Sequence, residues 1–130
     1  MTADLGTFPR IVKLLPEGIV RELAYTGRPL PAEEALSLGF VNKVFPDQES
    51  MLEAVMKIAG DIASNAPLAV YGCKKMINYA RDHSTAHGLD YVAVWNMSML
   101  KQEEMMESQM ANVEKRPPEY VDLPIVKDRV

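Results

Sequence analysis

Cysteine is nearly missing from this 130-residue chain: Cys73 is the only one, which excludes a disulfide framework and a thiolate metal cluster. Set between Gly72 and Lys74 in a helical pattern, it reads as a buried, inert thiol. Histidine occurs only as His83 and His87. Their spacing would suit a two-imidazole metal site, but no third ligand is suitably placed and Ser84 marks a helix start between them, so no metal site is expected. No apolar run approaches the roughly 18 to 20 residues that span a bilayer, and the first residues lack a charged-then-apolar leader pattern. The final Val126-Lys127-Asp128-Arg129-Val130 is not a peroxisomal tripeptide. An excess of positive charge is lacking too. The net charge of −4 divides as 0 over residues 1–46, −2 over 47–100 and −2 over 101–130, leaving no basic region for nucleic acid. Neither nucleic acid nor membrane is therefore an expected partner, and a cytoplasmic location is the default.

What is present is the composition of an ordinary globular chain, 48% hydrophobic and 25% charged. Prolines punctuate a succession of helical patterns at positions that first turns tolerate. Thr7 to Leu15 reads as a short helix, and Pro16 opens another over Glu17 to Tyr25, ended by Thr26-Gly27. Pro31 starts a third, with Glu33 and Glu34 in the first turn where the helix dipole favours negative charge, and Gly39 is placed to stop it. Phe40-Val41-Asn42-Lys43-Val44-Phe45 alternates as a strand does and is closed by Pro46. Asp47 is a candidate N-cap for a long amphipathic helix with Met51, Val55, Ile58, Ala59 and Ile62 on one face and Glu53, Lys57 and Asp61 on another. Asn65-Ala66-Pro67 breaks it and restarts a helix over Leu68 to Arg81. Ser84 caps a further helix that runs past Leu100, with a kink before Glu103, to about Lys115, where Pro117-Pro118 ends helical structure and leaves an extended tail.

One strand cannot make a sheet alone, so its backbone groups would need partners from outside the chain. The helix from Gly88 onward is apolar in nearly every direction. Such a helix is buried on all sides, either against a neighbouring subunit or at the centre of a bundle, with Tyr91 and Trp95 as candidate anchors. The nine methionines read as fillers of core and interface gaps.

Several runs are more specific. Ala3-Asp4-Leu5-Gly6-Thr7, Glu22-Leu23-Ala24-Tyr25-Thr26-Gly27-Arg28 and Ala32-Glu33-Glu34-Ala35-Leu36-Ser37-Leu38-Gly39-Phe40-Val41 resemble the crotonase (enoyl-CoA hydratase/isomerase) superfamily. Ser64-Asn65-Ala66-Pro67-Leu68-Ala69-Val70, followed by Lys74 and Lys75, is similar to the stretch that leads into that family's trimerisation helices. Arg81-Asp82-His83-Ser84 and Tyr91 to Leu100 look more narrowly like the delta-3,5-delta-2,4-dienoyl-CoA isomerase branch, and Glu114-Lys115-Arg116-Pro117-Pro118-Glu119-Tyr120 closes the likeness.

The resemblance covers residues 3 to 120 and concerns a C-terminal half. It implies a mainly α chain with one or a few short strands, the C-terminal part of a ClpP/crotonase-like α/β fold. Residues 1–66 would be the end of an incomplete crotonase core, 67–120 a helical oligomerisation region and 121–130 a tail. Asp4 would be one of two catalytic carboxylates. Its spacing alone would make it a helix cap or a solvated terminal residue. Tyr91, Val92, Trp95 and Met99 would lie at the interface of a homo-oligomer, a trimer or hexamer. Lys115 and Arg116 match a terminal basic pair that reaches the nucleotide of coenzyme A in some members, whereas Lys74 and Lys75 read as a solvated helix face. Coenzyme A is part of the acyl-CoA substrate, so no separate cofactor is implied. The glycine-containing oxyanion loops and the second carboxylate belong to the family's N-terminal half, which could also carry an organelle address.

The implied reaction moves conjugated double bonds along an acyl thioester in fatty-acid beta-oxidation. One base removes a proton beside the carbonyl, and one acid returns a proton at the far end of the diene. The dienolate between the steps places charge on the thioester oxygen, which preorganised backbone donors stabilise by roughly 3 to 4 kcal/mol each. Asp4 would handle the distal proton, given an apolar setting that raises its pKa. A noncatalytic helical self-association module and an enoyl-CoA hydratase are the alternatives, the aspartate context of Asp4 speaking against the second.

Overall fold

A computed structural model describes residue 3 and residues 5–124. Seven helices make up its regular structure: α1 (Thr7–Ile11), α2 (Glu17–Thr26), α3 (Ala32–Ser37), α4 (Gln48–Ala63), α5 (Pro67–Ala80), α6 (Thr85–Met99) and α7 (Gln102–Glu114). The chain divides into two units, residues 1–54 and 55–130, with the boundary inside α4.

In the first unit, α1 is shorter than its pattern. After Ile11 the chain tightens into i to i+3 turns, with Lys13 N–H donating to the Arg10 carbonyl and Leu14 N–H to that of Ile11. These turns bring Leu15 to 4% exposure, and Val20 of α2 and Ala35 of α3 are comparably buried. Helix α2 ends where Gly27 takes a left-handed backbone (φ 67°) that a β-carbon would disfavour, its N–H returning to the Leu23 carbonyl. Pro31 precedes the first turn of α3, which carries Glu33 and Glu34.

The expected strand at residues 40–45 is absent, and no strand occurs among the described residues. The reason lies at the end of α3. Gly39 (φ 70°) donates to the Leu36 carbonyl, while the N–H groups of Phe40 and Val41 both turn back to that of Ala35. This Schellman-type closure commits the first two donors of the segment, and among the described residues no second strand offers partners to the rest. Thus the expectation of a mainly α chain with short strands is corrected: among the described residues the regular structure is helical throughout.

Asp47 caps α4 as expected, accepting from Ser50 N–H at 2.8 Å. In the second unit α5 and α6 are joined by a short turn at residues 81–84 and packed together. Tyr71 meets Trp95 and Tyr79 meets Tyr91, so residue numbers fall along one helix as they rise along the other and the pair is antiparallel. Ser84 caps α6 by accepting from His87 N–H at 3.3 Å. The single kinked helix expected from Ser84 to Lys115 is two helices, because Leu100 (ψ 116°) and Lys101 (ψ 123°) are extended between α6 and α7.

Candidate functional site

A close fit in the second unit joins Gly72 of α5 to Trp95 of α6. A β-carbon built at Gly72 would lie 2.7 Å from Trp95 Nε1 and 3.1 Å from Cε2, so only glycine lets the indole seat against α5. Trp95 continues a chain of rings. Tyr71 lies 5.8 Å from it, Tyr91 lies 6.4 Å away edge-on, Tyr79 is 4.5 Å from Tyr91, and His83 stacks on Tyr79 at 3.6 Å. The tilted and edge-on pairs among Tyr71, Tyr79, Tyr91 and Trp95 suit the ring quadrupoles. His83 also donates from Nδ1 to the Tyr79 carbonyl at 2.8 Å. Beside these rings is a mostly apolar groove of about 490 Å³ lined by Cys73, Met76, Trp95, Met99 and Met105 among others. Cys73 is exposed there, in contrast to the buried thiol its helical context suggested.

Within the anticipated interface set, Tyr91 and Trp95 face α5 and are half-buried, whereas Val92 and Met99 are exposed. The largest apolar exposures on α6 lie at Leu89 (65%), Val94 (60%) and Met97 (89%). Helix α6 is therefore not the centre of a bundle made by the described residues. Lys75 rests its ammonium 5.4 Å from the Tyr71 ring, and both Lys74 and Lys75 are exposed.

Two arginine-centred clusters carry the strongest electrostatics. In the first unit, Arg28 places a two-pronged fork on Glu34 (2.9 and 2.8 Å) and its Nε on Glu22 (2.7 Å), tying the end of α2 to α3. The Arg28 guanidinium holds the Glu34 carboxyl below its ordinary pKa. In the second unit, Arg116 forks onto Glu107 (2.5 and 3.0 Å) and reaches Glu114 with Nε (2.6 Å). Glu107 also accepts the backbone N–H of Glu119 at 2.8 Å. Those donors, Arg116 first and the Glu119 N–H second, hold the Glu107 carboxyl down to about 2.

Of the anticipated basic pair, then, Arg116 is spent on carboxylates, and Lys115 makes no side-chain hydrogen bond or ion pair among the described residues. Asp4, the anticipated acid/base residue, lies outside the described residues. Among them, no group of three or more His, Cys, Asp or Glu side chains could hold a metal ion. No helix among the described residues is long and apolar enough to cross a membrane. The sequence alone did not mark Gly72 or Glu107, and it placed Glu34 in a helix first turn without its partner Arg28. An isolated glycine inside the α5 pattern was the one available signal for Gly72. Glu107 and Arg116, nine residues apart, offered none.

The geometry has clear counterparts among known proteins. The mitochondrial delta(3,5)-delta(2,4)-dienoyl-CoA isomerase of Pongo abelii is 45% identical over 117 residues, which cover 89% of this chain and 36% of that protein. The peroxisomal enzyme of the same name from Arabidopsis thaliana is 38% identical over 123 residues, covering 95% and 44%. The crystal structure of an enoyl-CoA hydratase from Mycobacterium tuberculosis H37Rv superposes with a TM-score of 0.83 at 31% identity, over 95% of this chain and 48% of that one. The chain spans less than half the length of each of these relatives. The enoyl-CoA hydratase/isomerase family model matches residues 1–123, nearly the whole sequence, and the chain belongs to that family.

Proposed function

We propose that these residues form the C-terminal portion of a dienoyl-CoA isomerase, which shifts conjugated double bonds of an acyl-CoA thioester by acid/base proton transfer. The observation that carries this reading is the 45% identity over 117 residues to a protein of that name. Identities of 38 to 45% to dienoyl-CoA isomerases, against 34 to 36% to carnitinyl-CoA dehydratases of Salmonella, support isomerisation over hydration. In this reading Asp4 handles the proton at the far end of the diene. The glycine-containing loops that the family uses for the oxyanion have no counterpart in this sequence. The 130 residues alone therefore give no turnover, and they convert a 3,5-dienoyl-CoA only when joined to an N-terminal half that supplies those donors. A dienoyl-CoA absorbance assay on both forms tests this. Turnover by the chain alone, or an Asp4→Asn variant of the joined form with undiminished turnover, would overturn it.

A second reading, a noncatalytic self-association module built on residues 67–120, is favoured by the exposure of Leu89, Val94 and Met97 on α6. Light scattering on the purified chain separates the two when paired with that assay. A discrete trimer or hexamer would support assembly through this region, and absence of turnover in the joined form would leave association as its role.

A further inference from the structure

The segment after α7 folds back along that helix and is fastened at three points. Arg116 forks onto Glu107, the Glu119 N–H donates to the same carboxylate, and Tyr120 meets Ser108 at 2.8 Å. Because the Ser108 hydroxyl gives its proton to the Glu104 carbonyl, Tyr120 is the donor in that last contact. Lys115 sits at the reversal with φ 53°, a left-handed backbone that residues with a β-carbon rarely adopt. The backbone N–H groups of Lys115 and Arg116 converge on the Ala111 carbonyl, and Ala111 is 2% exposed beneath them.

We infer that Arg116 is a positioning residue, not a ligand residue: through Glu107 it clasps this segment to α7 and fixes the unusual backbone that presents Lys115. The identity of the anion that Lys115 would meet rests on the acyl-CoA reading above. The local charges favour this division of roles. For Arg116 to take a phosphate, it would have to leave Glu107 and Glu114, depriving of its cation the same carboxylate that accepts from the Glu119 N–H. The adjoining cleft of about 560 Å³ is lined by Glu103, Glu104, Glu107 and Glu119 against the single cation Lys101, which lies 4.0 Å from Glu104, and this acidic excess would repel that phosphate. Lys115 lies outside this set of lining residues.

The test is nitrogen-detected NMR of the 130-residue chain, alone and titrated with coenzyme A, in wild type, Glu107→Gln, Arg116→Lys, Lys115→Ala and Lys115→Arg. In the ligand-free chain, Glu107→Gln should speed amide exchange at Glu119 by about tenfold or more while the α5–α6 ring signals stay in place. Unchanged exchange would overturn the clasp. On addition of coenzyme A, the Lys115 ammonium should shift and the Arg116 Nε–H should not. Lys115→Ala should weaken binding and Lys115→Arg restore it, since a point charge suffices. Arg116→Lys should weaken binding despite keeping its charge, because a lysine cannot reproduce the fork on Glu107. Movement of the Arg116 signal together with full binding by Arg116→Lys would make Arg116 the ligand and overturn the inference. A silent Lys115 signal would remove its assigned role, and the turnover assay on the joined form distinguishes that result from failure of the acyl-CoA reading.

Discussion

Gly72 and Trp95 are fitted to each other across α5 and α6, with room at residue 72 for a hydrogen atom and none for a methyl group. Gly72→Ala should gain roughly 1 kcal/mol of helix propensity and lose about 1 to 3 kcal/mol to overpacking, a net destabilisation of up to about 2 kcal/mol. Trp95 is the only tryptophan, so its fluorescence reports the displacement without interference. Adding Trp95→Phe should relieve part of the strain, making the double variant more stable than the two single effects would sum to. Additive effects with an unshifted emission spectrum would contradict the fit.

Glu107 gives a signed prediction for pH. Its folded-state carboxyl is held at about 2, below the ordinary 4.5, so the stability it contributes is fully present above 4.5 and is lost as pH falls through about 2. Glu107→Gln should thus be less stable than the parent at neutral pH, and the gap should narrow across that window. Denaturant midpoints taken down the pH range measure this. A gap that widens with acid would show the sign to be wrong.

The cap on α6 is a separate, local test. Ser84→Ala removes the acceptor of the His87 N–H and should cost about 1 kcal/mol, with faster amide exchange at His87 and little change in α7. Ser84→Asp keeps an acceptor there and should retain most of the stability.

Helix α6 also offers a way to separate self-packing from association. Val94→Asp and Met97→Glu place charge on side chains that are 60% and 89% exposed, so neither should disturb the α5–α6 pair. If that face binds another copy, each should weaken assembly by about tenfold or more in light scattering while circular dichroism stays unchanged. Undiminished assembly would move the interface elsewhere on the chain.

Where a signal was local, the sequence was legible. Pro16, Pro31 and Pro67 stand at helix starts, Gly27 and Gly39 at helix ends, and Asp47 and Ser84 at caps. Each works through its own backbone or its neighbours' donors, and needs no knowledge of the rest of the fold. The stretch at residues 40–45 misled because alternation is a property of side chains, whereas strand formation depends on free backbone donors, and Ala35 had already taken those of Phe40 and Val41. The break at Leu100 and Lys101 contains neither glycine nor proline, leaving the acidic first turn of α7 as its faint mark. Arg116 stood out as a cation, but its commitment to Glu107 depends on the reversal at Lys115, a backbone state that no composition rule signals. The family motifs identified the chain well and said little about which of its charged groups are already paired.

Leu15, Val20, Ala35 and Ala111 are the buried apolar side chains among the described residues. Less apolar surface is therefore left to hydrate when a single copy unfolds than in an average chain of this length. An average chain of 130 residues would show a heat-capacity increment of roughly 1.6 to 2 kcal/mol/K on unfolding. A dilute solution of this one should fall short of that, with a shallower dependence on denaturant. If copies cover one another's apolar faces, as the self-association reading proposes, both quantities should climb with protein concentration, and the calorimetric trace would then measure the company a copy keeps.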